Sequence, residues 1–236
     1  ALEQINKNKI IELAQKNAKK RLSEEHDKAI ESLITDWDDF TYENSMILES
    51  EAAKKLMDKL TDQFNLSKYP LDKEIKSYLL SASMMEFERR ASQSRKGRAG
   101  DNLQQAVKII LEHIGINFNP VPHYISGILE ADLVIYKGGP ASGKMCVISC
   151  KRTGRERVKQ VSVEKDELSR LRIEHIIWFF VKFDQSVQRV IDLGLRKHIF
   201  YLPDKSEEYK KLNGNPKTSK YVLPISQIRT SIHKLF

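Results

Sequence analysis

The sequence predicts an α/β fold, a mixed central sheet flanked by helices, with a helical region ahead of it. Two observations carry this. Beyond residue 130, apolar runs of strand length (131–136, 145–150, 175–182 and 198–202) alternate with segments of helical spacing, the pattern of an α/β layer. The first 92 residues instead repeat apolar side chains at helical spacing among many Lys and Glu. The expected division is therefore 1–92 as a helical N-terminal region and 93–236 as the α/β core.

Taken in order, residues 1 to about 35 read as a helix, with Ile10, Leu13, Ala14, Ala18, Leu22, Ile30, Leu33 and Ile34 on its apolar side and no Gly or Pro to break it. Asp36-Trp37-Asp38-Asp39-Phe40 reads as an acidic connector. A second helix is expected over 45–64 (Met46, Leu48, Ala52, Leu56) and, after Pro70, a third over 71–92 (Ile75, Leu79, Met84, Phe87). Residues 94–101, basic and carrying Gly97 and Gly100, read as a loop. Helical spacing resumes over 102–113, and Gly115 is a fitting stop. Pro120 and Pro122 interrupt the chain before the first strand, 131–136. A Gly/Pro/Ser turn leads to the second, 145–150. A short helix over 163–171, the fully apolar strand 175–182, a helix over 186–193 and the strand 198–202 follow. Residues 205–220 read as a polar loop and 224–235 as a terminal helix.

With 236 residues and 40% hydrophobic content, the chain can bury a core without covalent staples. Its two cysteines, Cys146 and Cys150, lie four apart on one expected strand. They are too few for a disulfide framework, so a reduced, cytoplasmic protein is expected. No apolar run reaches the ~18 residues of a membrane span, and the N-terminus lacks the apolar stretch of a signal peptide. A net charge of +8 and a pI of about 9.3 favour a polyanionic partner, since each neutralised phosphate releases counterions.

The chemistry concentrates between 130 and 164. Asp132 stands at the mouth of one strand, Lys151 at the end of the next, and Glu164 thirteen positions later near a helix start. Magnesium held by one or two carboxylates, with a lysine beside the scissile phosphate, suffices for phosphodiester hydrolysis, so this trio suits a magnesium-dependent nuclease. Each residue also has a plain structural reading: a strand-edge turn for Asp132, a solvated strand end for Lys151, a dipole-favoured acid for Glu164. His113, His123, His175 and His198 show no spacing for zinc or a nucleophile triad, and Cys150 reads as a packing residue. Gly138 to Lys144 lacks the spacing of a phosphate loop and reads as a hairpin turn.

Asp132 followed by Ser149-Cys150-Lys151 resembles the PD-(D/E)XK restriction-endonuclease-like core in a variant form. Ser149 stands where the usual second acid would be, and Glu164 falls where that acid has migrated in the EcoRII/PspGI-like (CCGG-family) branch of type II restriction endonucleases. Arg155-Glu156-Arg157 is similar to that branch's R-(D/E)-R element, and Ser94-Arg95…Arg98-Ala99-Gly100 to its S-R-x-x-R-A-G segment. The resemblance covers roughly 92–170. It implies a Mg2+-dependent endonuclease of a restriction-modification system, acting as a homodimer on double-stranded DNA at a short palindromic G·C-containing site. Asp132 and Glu164 would hold the metal and Lys151 would stabilise the phosphate. Arg155 and Arg157 would read guanines and Glu156 cytosines, as guanidinium forks and acids can. Gln93 matches a glutamine touching the outer pair, while Arg95, Arg98, Gln104 and Ser149 would contact the DNA backbone or support the site. The chain departs from the branch at Gln104, where an acid is usual, and at Val158, where an aromatic is usual. Trp37 reads either as a wedge beside a flipped base or as core. Two alternatives stay open: a PD-(D/E)XK nuclease of repair or recombination, and a DNA-binding module with a degenerate core.

Overall fold

The computed structural model describes residues 7–65, 72–121, 124–125, 129–139, 141, 143–154 and 165–235. Three helices open the chain: α1 (Lys7–Glu25), α2 (Ile30–Asn65) and α3 (Lys73–His113). A single 3-10 turn, His26–Ala29, separates α1 from α2, and His26 turns the chain there with a φ of 52°. The expected acidic connector at 36–40 is instead the interior of α2. Trp37, 4% exposed, points into the core, so the exposed Asp36 and Asp39 do not break a helix whose other face is buried. The basic segment 94–101, expected as a loop, also continues the α3 helix. Two glycines cost about 1 kcal/mol each in a helix interior. Phe87, Ala91, Leu103, Ala106 and Val107, buried on either side of them, offset that. Gly115, with φ 77°, does end α3.

The central sheet has six strands in the order β1-β4-β5-β6-β7-β8. They are β1 (Asn119–Pro120), β4 (Leu133–Tyr136), β5 (Met145–Thr153), β6 (Ile173–Lys182), β7 (His198–Leu202) and β8 (Val222–Pro224); β2 (Tyr124–Ile125) and β3 (Leu129–Glu130) pair separately. β1/β4 and β4/β5 are antiparallel, whereas β5/β6, β6/β7 and β7/β8 are parallel, which makes the sheet mixed as expected. The short β1 and β8 had no distinct pattern in the sequence. Three helices connect the parallel strands: α4 (Lys165–Arg170), α5 (Val187–Gly194) and α6 (Glu207–Asn213). α6 occupies part of the expected polar loop 205–220. Ser206 caps it by accepting the Tyr209 N–H at 3.1 Å, and Glu207 and Glu208 sit in its first turn, where the helix dipole favours acids. The C-terminal segment is a 3-10 turn (Ile225–Gln227), α7 (Ile228–Ile232) and a final 3-10 turn.

Alternation along the strands divides the core between the two faces of the sheet. Ile148, Ile177, Phe179 and Tyr201 meet α1, α2, α3 and α7, so Ala14, Leu22, Ile34, Ile110 and Ile232 belong to one continuous cluster. Val147, Trp178, Phe180 and Phe200 meet α4, α5 and α6 through Leu168, Val190 and Leu212 on the other face. The N-terminal helices are thus one wall of the sheet's own core, and position 92 lies inside α3. Across that wall Arg229 of α7 forms an ion pair with Asp27 at 2.7 Å. Both cysteines are free and buried. No described helix is long and apolar enough to cross a membrane.

Two expectations follow for stability. Phe179 is fully buried and stacks on Tyr201 at 5.0 Å, so Phe179→Ala should cost about 3–5 kcal/mol in chemical denaturation. His198 is also fully buried, and its Nδ1 accepts the Trp178 Nε1–H at 2.8 Å, which requires the neutral ring. Burial pushes its pKa down to about 3 from the ordinary 6.5, with Arg189 and Arg196 adding to the shift. Below pH 6.5 the unfolded chain binds a proton that the folded chain refuses, so stability should fall as pH drops from 6.5 towards 3. Urea midpoints measured across that window should show the fall, and His198→Gln should flatten part of it.

Candidate active site at the end of strand β5

Asp132 stands one residue ahead of β4, where the antiparallel register with β5 brings it level with Ser149. Its main chain is bound at both ends. The Asp132 N–H donates to the Ile148 carbonyl at 2.9 Å, and the Asp132 carbonyl accepts the Val121 N–H at 3.1 Å. The same carbonyl accepts a second bond, 3.1 Å, from Gln104 Nε2 on α3. With the backbone held, the carboxylate turns to β5. Oδ2 accepts the Cys150 N–H at 2.7 Å, lies 3.4 Å from the Ser149 hydroxyl and pairs with Lys151 Nζ at 3.5 Å.

The alternation that places Ile148 and Cys150 against the helices leaves Ser149 and Lys151 facing the other way. Ser149 is fully buried and Lys151 only 7% exposed. A lysine so buried is carried only with compensating charge, which Asp132 provides. The Asp132 side chain itself keeps 24% exposure, the opening of the site to solvent. Burial pushes the Cys150 thiol pKa well up, and Asp132 raises it further, so Cys150 stays a protonated packing residue, as its sequence context suggests.

Gln104 is the informative departure. It offers no charge, but its amide has what a carboxylate lacks, an N–H to give, and it gives it to the backbone of Asp132. Gln93 is exposed on α3. Arg95 lies nine residues before Gln104, about 13 Å along the helix. There its guanidinium bridges Glu49 of α2 and Glu88. Glu49 is 7% exposed, so this arginine is committed to holding α2 against α3. The backbone of Arg98 is helical, but its side chain, like Glu164 and Arg155-Glu156-Arg157 entirely, lies outside the described residues. Trp37 is a core residue.

The donor set suits a hard divalent cation. Among the described residues Oδ1 of Asp132 has no hydrogen-bond partner, which leaves a carboxylate oxygen of the type such a cation takes. Among the described residues no three or more His, Cys, Asp or Glu cluster as metal ligands.

Residues beside this site escaped the sequence reading. Arg152, next to Lys151, reaches Asp38 of α2, and Gln185 donates to the Gly154 carbonyl. Asp38 could have been recognised had 36–40 been read as helix, since no Gly or Pro occurs from residue 1 to 69.

The sheet with its flanking helices has the fold of solved restriction endonucleases. Three of the solved structures it matches are restriction-enzyme complexes with DNA. Metal-depleted Ecl18kI in complex with uncleaved, modified DNA superimposes with a TM-score of 0.64 at 15% identity, over 98% of this chain and 85% of that one. The restriction endonuclease PspGI–substrate DNA complex gives 0.64 at 17% identity, over 97% of this chain and 92% of that one. A second metal-depleted Ecl18kI complex, with uncleaved DNA, gives 0.53 at 17% identity. No protein-family model matches the sequence, and no curated protein matches it.

The Gln104 bond can be weighed directly. Gln104→Ala should cost about 0.5–1.5 kcal/mol, because the Asp132 carbonyl keeps the Val121 N–H. Gln104→Glu sets an oxygen against that carbonyl and should cost more, about 1–3 kcal/mol. A Gln104→Ala midpoint in denaturant equal to that of the wild type would show that the bond contributes nothing.

Proposed function

We propose that this protein is a type II restriction endonuclease that hydrolyses double-stranded DNA with Mg2+ at a short palindromic site containing CC/GG half-sites. The observation that carries the proposal is the pairing of Lys151 Nζ with the Asp132 carboxylate, 3.5 Å apart at the mouth of β4 and β5. The fold, shared with restriction enzymes solved on DNA, supports it, as does the net charge of +8.

Asp132 and Glu164 would hold the cation, which when bound orients water and neutralises charge on the phosphate. Lys151, fixed by its strand and its partner, sets a positive charge where the phosphorane oxygens gain negative charge. Ser149 fills the position of the migrated acid without adding charge. Arg155 and Arg157 would donate bidentately to guanine O6 and N7, with Glu156 accepting from cytosine N4, in the major groove. Gln93 and Arg98 would add DNA contacts along α3, and Arg95 would support them from between its two carboxylates. A palindrome is matched by a two-fold dimer, so a homodimer is proposed.

Plasmid DNA incubated with the protein and magnesium should yield discrete fragments, and sequencing their ends should return one palindromic site. Random ends, or no cutting, would overturn the proposal. Lys151→Ala should slow cleavage at least about 100-fold while DNA binding persists. Arg155→Ala or Arg157→Ala should each cost about 1–3 kcal/mol of site discrimination.

A further inference from the structure

β5 does not end free. Immediately after Lys151, the Arg152 side chain turns towards α2, where Nε and Nη2 both reach Asp38 Oδ2, at 3.1 and 3.0 Å. The guanidinium lies over the Tyr42 ring, 5.6 Å from its centroid. Asp38 and Tyr42 are one helical turn apart, so α2 presents a carboxylate and an aromatic face together. The Asp38 side chain is only 13% exposed, which makes this pair stiffer than a solvated one.

Two residues on, the chain is held from another element. The Gly154 carbonyl accepts Gln185 Nε2 at 2.5 Å, from the connection between β6 and α5. Gly154 is packed so closely that an added Cβ would lie 3.0 Å from Asp184 Oδ1 and 3.1 Å from Gln185 Nε2. Residues 152–154 are therefore gripped twice, and Arg155 is the next residue. Lys151 is fixed independently, on the opposite face of β5, by Asp132.

We infer that Asp38, Tyr42 and Gln185 form a two-sided clamp on the root of the base-reading segment, and that they determine specificity by positioning it. The inference rests on the endonuclease reading above. Bidentate base readout depends on the angle at which each guanidinium enters the groove, whereas phosphate contacts tolerate displacement. A loosened root therefore degrades discrimination before it degrades chemistry. These are positioning residues: they touch Arg152 and Gly154.

The test compares single-turnover cleavage of the cognate site with sites altered at one base pair, for the wild-type protein, Asp38→Asn, Asp38→Glu, Gln185→Ala and Gly154→Ala. Asp38→Asn and Gln185→Ala should each lower the cognate-to-altered rate ratio about tenfold or more, the worth of one bidentate contact. Their cognate rates should change by less than about threefold. Asp38→Glu should recover part of the ratio, and Gly154→Ala should lower it. An unchanged ratio in Asp38→Asn and Gln185→Ala, with the wild type cutting at a defined site, overturns the clamp alone. So does an equal fall in both rates that tracks a lowered melting temperature. Failure of the wild type to cut any DNA overturns the endonuclease reading and the clamp with it.

Discussion

Asp132 is where three elements meet. β1 supplies a neighbouring N–H, α3 supplies the Gln104 amide, and β5 accepts at Ile148 and donates at Cys150. Each bond is modest alone, about 1 kcal/mol net. Together they remove the freedom of a residue that stands outside any strand. The carboxylate is then aimed by the backbone, and the buried Lys151 is tolerable because that carboxylate is already in place. The register of β4 on β5 and the seat of α3 on the sheet thus serve a single pairing of charges.

Much of this was readable in the sequence. The strands at 133–136, 145–153, 173–182 and 198–202 announce themselves because they are apolar on both faces, as strands covered on two sides must be. Asp132 and Lys151, which the structure pairs, stand out in the sequence because a charge at the end of such a run is conspicuous. The long helices were misread because Asp36-Trp37-Asp38-Asp39-Phe40 and the two glycines of 97–100 are locally poor helix formers. Tertiary burial of Trp37, Phe87 and Leu103 overrode them. β8 was missed since three residues carry no period, and α6 since its evidence lay in the Ser206 cap rather than in an apolar stripe.

Charge was the least transparent property. A surplus of Lys and Arg invites a residue-by-residue assignment to phosphates, but several arginines are engaged within the fold. Arg21 pairs with Glu25, Arg95 with Glu49 and Glu88, Arg152 with Asp38, and Arg229 with Asp27. Arg152 stands beside Lys151 in the sequence yet faces the opposite layer. Only strand alternation separates the two roles.

The ion pair of Asp27 with Arg229 joins positions 202 apart in the chain. The hydrophobic layer behind it likewise mixes Ala14 and Ile30 with Ile225, Ile228 and Ile232. During synthesis, the first helices therefore emerge long before the residues that cover them, at roughly 5–20 residues per second. Such distant closures fold slowly, because the loop entropy is lost before the contacts form. The nascent chain carries an uncovered apolar stripe on α1 and α2 for many seconds, and the sheet face they guard is sealed only when the last turn docks.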